Sequence, residues 1–123
     1  MATIVRRNER SWAIDLISKI NIIARDNDLV IKKAGGENTI SAGRGNTMFP
    51  DVVLYGNEEQ SIILQGWELK MPDVPIEDET FIKDAQRKAI ALNLNSCLIW
   101  NFTYAVLYIR GDNNSFTKLK QWN

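Results

Sequence analysis

Histidine is absent from all 123 residues. That excludes a Ser-His-Asp triad, imidazole acid–base catalysis and most zinc sites. Cysteine occurs once, at Cys97, so the chain cannot close an internal disulfide, and a reducing cytoplasm is the expected location. Cys97 opens an apolar run, where core packing is its expected role. No apolar run reaches the length of a membrane span, and the N-terminus lacks a signal-peptide core, so no membrane partner is expected. No GKT or GKS phosphate loop is present. An excess of charge is missing too: 15 basic residues balance 15 acidic ones. Dedicated nucleic-acid binders are usually basic, so strong autonomous DNA binding is not expected, although a bound metal would add positive charge locally.

What is present is an ordinary globular composition, 45 % apolar and 24 % charged, in a length that suits a single domain over 1–123 with one core. After a loose lead-in carrying Arg6 and Arg7, apolar residues at Ala13, Leu16, Ile17, Ile20 and Ile23 or Ala24 predict a helix over 9–25. A strand over 29–33 and a polar glycine-rich loop over 34–48 follow. Strands over 52–55 and 62–69 flank a turn at 56–60. Pro72 and Pro75 break the acidic segment 71–79, whose Asp73 reads as a solvated acid. A second helix over 80–94, with Thr80 as its N-cap, carries Ile82, Ala85, Ala89 and Leu92 on one face. Lys83, Arg87 and Lys88 read as solvated cations. Strands over 96–101, 104–110 and 115–122 complete the chain. The expected fold class is α/β (α+β), a mixed central sheet flanked by helices.

The chemistry concentrates in residues 49–70. Asp51 opens the first strand of a hairpin, and Glu68 and Lys70 end the second. The midpoint between 51 and 68 falls inside the turn, so an antiparallel hairpin brings Asp51 to Glu68 and Lys70. Side chains alternate along a strand, which puts Glu68 and Lys70 on one face and Trp67 and Leu69 on the other. Two carboxylates brought together raise one another's pKa unless a cation lies between them. Hard cations such as Mg²⁺ take oxygen ligands, often one or two carboxylates with water and phosphate. A neighbouring lysine can hold a water or offset developing charge.

Pro50-Asp51 followed by Glu68-Leu69-Lys70 resembles the signature of the PD-(D/E)xK nuclease superfamily. The likeness runs from about residue 9 to the C-terminus. It is nearest to the N-terminal nuclease domains of restriction enzymes that fuse cleavage and methylation. The resemblance implies a restriction-endonuclease-like fold and a Mg²⁺-dependent endodeoxyribonuclease, with Mn²⁺ able to substitute. It implies that Asp51, Glu68 and the Leu69 backbone carbonyl bind the metal, and that Lys70 orients the attacking water. Products would carry a 5′-phosphate and a 3′-hydroxyl.

The same likeness suggests roles for residues that the pattern leaves open. Glu9, on the core-facing side of the first helix, is either a first-turn acid favoured by the helix dipole or a carboxylate aimed at the metal. Gln86, beside the apolar face of the second helix, is either a boundary residue or one that orders the site. Gly43, Arg44 and Gly45 are candidate DNA contacts, since glycine lets backbone approach phosphate and arginine adds a charged donor. DNA is the implied partner. Methyltransferase and target-recognition domains in a parent chain, of which 1–123 would be an N-terminal fragment, and a homodimer are compatible with the likeness. A junction-resolving or repair nuclease, and a non-catalytic module that kept the fold, are the competing readings.

Overall fold

In a computed structural model, which describes residues 9–36 and 49–123, the first apolar stripe forms α1 (Glu9–Asp26). Ala13 and Ala24 are buried, Leu16, Ile17 and Ile20 pack beside them, and Trp12 joins the same core. Ile23 stays exposed, so Ala24 completes the stripe.

The first strand lies later than expected. β1 spans Lys33–Gly35, and Ala34 and Gly35 leave the anticipated loop to become strand. Leu29 and Val30 are exposed, Val30 by 78 %. The physical cause is a side-chain clamp. Asn21 of α1 accepts from Ala34 N at 2.7 Å and donates to Ala34 O at 3.1 Å, satisfying the backbone edge that β1 turns away from its partner. Hydrophobicity along 29–33 carries no trace of that contact.

β2 (Val52–Tyr55) and β3 (Ile63–Leu69) form the expected hairpin. Asn57 holds its turn, its side-chain oxygen accepting from the backbone N–H groups of Ser61 and Ile62. α2 spans Glu79–Ala91 and begins one residue earlier than predicted, because Asp78, not Thr80, is the cap and accepts from Thr80 N at 2.8 Å. It also ends earlier. Asn93 takes a left-handed conformation (φ 56°), and Leu94 N bonds Ala89 O, which turns Leu94 into the core. β4 (Ser96–Trp100), β5 (Ala105–Arg110) and β6 (Phe116–Trp122) complete the described elements.

Among the described residues the six strands form one sheet in sequence order, β1 to β6. The neighbours β3 and β4 run parallel, and every other pair runs antiparallel. A parallel pair needs a crossover, and α2 supplies it. α1 packs on one face with Val52, Leu54 and Leu69. α2 packs on the other with Cys97, Ile99 and Val106. The result is a mixed sheet with a helix on each face, the α+β arrangement expected from the sequence. Among the described residues no helix is long and apolar enough to cross a membrane.

Candidate metal centre

The site is built where β2 begins and β3 ends. Val52 pairs Trp67, Val53 pairs Gly66 and Leu54 pairs Gln65, a register that places Asp51 opposite Glu68. A bulge lies between Leu54 and Tyr55, towards the closed end of the hairpin, and leaves this open end in register. Close packing holds Pro50 and Asp51 in place. A Cβ at Gly66 would stand 2.6 Å from Pro50 Cγ and 2.8 Å from Leu94 Cδ1, so only glycine admits the Pro50 ring there. Asp51 Oδ2 accepts a 2.8 Å hydrogen bond from Leu69 N, which fixes the carboxylate against the end of β3. The β3–β4 ladder continues one residue further, with Lys70 N donating to Trp100 O at 2.8 Å.

Strand alternation then separates the side chains. Trp67 and Leu69 go to the α1 core. Glu68 goes to the α2 face, where it is 4 % exposed. Burial pushes its carboxyl up to about 7; Lys88 opposes that rise, Asp51 adds to it and Lys70 opposes it. Asp51, Glu68 and Lys70 therefore share one electrostatic neighbourhood, as the hairpin argument requires. Lys70 Nζ lies 4.5 Å from the centre of the Phe81 ring at the start of α2, a cation–π contact that steadies its stem.

Lys88 occupies a place that sequence reading assigned to solvent. Its side chain is only 12 % exposed, and its ammonium lies 2.7 Å from Glu68 Oε1 and 3.3 Å from Asp84 Oδ2. Burial works against its charge, and the Glu68 and Asp84 carboxylates overcome that, so its pKa stands above the ordinary lysine value. Glu68 Oε1 is closed to solvent and has the Lys88 ammonium as its ion-pair partner. A sequence signal for Lys88 existed. It lies three residues after Ala85 and four before Leu92, so it borders the apolar face as closely as Gln86 does.

Gln86 sits half-buried on α2 and its side chain makes no hydrogen bond among the described residues; it is Lys88 that reaches Glu68. Glu9 stands in the first turn of α1, on the helix that packs against the opposite sheet face. Among the described residues no three histidine, cysteine or acidic side chains gather as a metal-holding group, so Glu9 does not join Asp51 and Glu68. Asp73 is exposed. Gly43, Arg44 and Gly45 lie outside the described residues. The preceding Gly36 is close to the site, since a Cβ there would be 3.3 Å from Asp51 O. Cys97 is buried, and burial and then the Glu68 charge push its thiol up to about 12, which suits packing and not reactivity.

The donor set fits a hard divalent cation. It offers two carboxylates at the end of β3, Asp51 held by Leu69 N and Glu68 paired with Lys88, next to the backbone of Leu69. No protein-family model, no curated protein and no solved structure matches the chain.

Proposed function

We propose that this chain is a metal-dependent DNA endonuclease domain of the PD-(D/E)xK type, the cleavage part of a cytoplasmic restriction enzyme. One observation carries the reading. The β2–β3 register and the Leu69 N–Asp51 bond bring Asp51 to Glu68 at the strand end that Lys70 extends. Asp51, Glu68 and the Leu69 carbonyl would hold Mg²⁺ or Mn²⁺. When bound, the cation lowers the pKa of a water and offsets charge on the phosphate. Leu69 N–H keeps the Asp51 carboxylate oriented. Burial of Glu68 keeps it dry, which strengthens its hold on a cation. Lys70 offers an ammonium to the attacking water and to the phosphate oxygen that gains charge.

Plasmid DNA incubated with Mg²⁺, with Mn²⁺ and with a chelator tests this. Cleavage is expected with either metal, not with the chelator, and not by Asp51→Asn, which keeps an acceptor for Leu69 N. Cleavage by Asp51→Asn at the wild-type rate overturns the assignment.

A non-catalytic module is the second reading, favoured by the Glu68–Lys88 ion pair, which neutralises the carboxylate without a metal. Calorimetry with Mg²⁺ separates the two, since the module predicts no binding heat.

A further inference from the structure

Lys88 is the charged group at the site that the nuclease reading leaves unused. It comes from α2, not from the hairpin, and it has two acidic neighbours of different character. Glu68 is nearly sealed from solvent, with its side chain 6 % exposed, whereas the Asp84 side chain is 34 % exposed. Asp84 also accepts from Arg87, which holds it in place on the helix surface. The Lys88 ammonium stands between them, 2.7 Å from Glu68 Oε1 and 3.3 Å from Asp84 Oδ2.

A buried carboxylate cannot be left without a countercharge at small cost. A divalent cation on Glu68 and an ammonium 2.7 Å from the same oxygen would repel strongly in so dry a place. Lysine is suited to leave. Its charge is compact, and its stem has four rotatable bonds, where a guanidinium would be fixed in a planar fork. Asp84, one helical turn before it, already touches the ammonium and offers a wetter place for it.

We infer that Lys88 is an exchangeable internal counter-ion of Glu68, a positioning residue that holds the carboxylate until a divalent cation displaces the ammonium towards Asp84. The inference rests on the proposed metal site and deepens it. Two consequences follow. Metal binding is opposed by an ammonium already on Glu68, so affinity is set in part by α2. The departing charge also stays at the rim of the site, where a phosphate would be met.

The test reads the amine itself. The whole chain is acylated with a succinimidyl acetate, and labelling of each lysine is followed by mass spectrometry in chelator and across a Mg²⁺ titration. Mg²⁺ binding is measured in parallel by calorimetry. Lys83, exposed on the same helix, is the internal reference. Lys88 labelling is expected to rise several-fold along the calorimetric binding curve while Lys83 stays constant. In Glu68→Gln, Lys88 should label quickly with or without Mg²⁺. Binding heat with unchanged or slower Lys88 labelling overturns the exchange and leaves the metal site standing. Absence of binding heat in the wild type overturns the metal site, and the exchange with it.

Discussion

Lys70 and Glu68 are two residues apart, yet the structure gives them different surroundings. Lys70 reaches the rim and rests on Phe81, so its removal forfeits one partly exposed cation–π contact worth about 0.5–1 kcal/mol. It is not a ligand, so Lys70→Ala should stay folded and keep its Mg²⁺ binding heat while cleavage falls by about 10²–10³-fold. Lys70→Arg should restore little, because a planar guanidinium places its charge differently. Equal cleavage by wild type and Lys70→Ala in saturating Mg²⁺ would remove the lysine from the chemistry. Glu68 makes a thermodynamic prediction instead. Its folded pKa of about 7 exceeds the ordinary 4.5, so between those values the folded state binds more protons than the unfolded one. Stability should therefore fall as pH rises through that window and level off above it. At one pKa unit per 1.36 kcal/mol the loss is on the order of 3 kcal/mol. The Lys88 ammonium titrates above this range and stays charged throughout it. Melting temperature in chelator should drop from pH 5 to pH 8 in the wild type, and much less in Glu68→Gln. A flat wild-type profile would contradict the burial argument.

At the scale of elements, Gly66 decides whether the hairpin presents its acids. A methyl group there meets the rigid Pro50 ring and the Cδ1 methyl of Leu94, which is fully buried and so has little room to move. Gly66→Ala should destabilise by about 1–3 kcal/mol, as overpacking does. Because Pro50 must shift, Asp51 shifts too, and Mg²⁺ affinity should fall although no ligand has changed. A destabilised variant that binds Mg²⁺ as tightly as wild type would show that Pro50 packing does not position Asp51. This is also where the limits of sequence reading lie. The hairpin, both helices and the pairing of Asp51 with Glu68 were legible, because alternation, helical spacing and a central turn are local patterns. The displacement of β1 was not, because it depends on Asn21, thirteen residues from Ala34. The early end of α2 depends on Asn93 turning left-handed so that Leu94 can fill the core. Lys88 was misread because three cations on one helix look alike in sequence. Only the sheet beneath α2 shows which one faces a buried acid.

For the whole molecule, charge and site pull in different directions. Asp51 and Glu68 stand together at the site, while 15 basic and 15 acidic residues over the whole chain leave no net field to draw a polyanion in. Salt sensitivity counts the phosphates that a protein neutralises, with a slope of about −0.9 per contact on duplex DNA. In a chain of zero net charge each cation that meets phosphate is offset by an acid elsewhere, and Lys88 is held by Glu68. The isolated 123-residue chain should therefore bind duplex DNA weakly, with a shallow salt slope and little sequence preference. Mg²⁺ should strengthen binding in the wild type, since the cation adds charge where the acids stand and releases Lys88, and should not do so in Glu68→Gln. Titrations of one labelled duplex against the chain at two salt concentrations, each with Mg²⁺ or chelator, measure all of these. A steep salt slope, or tight binding to one sequence by the chain alone, would show that recognition is built into this domain and does not come from a partner.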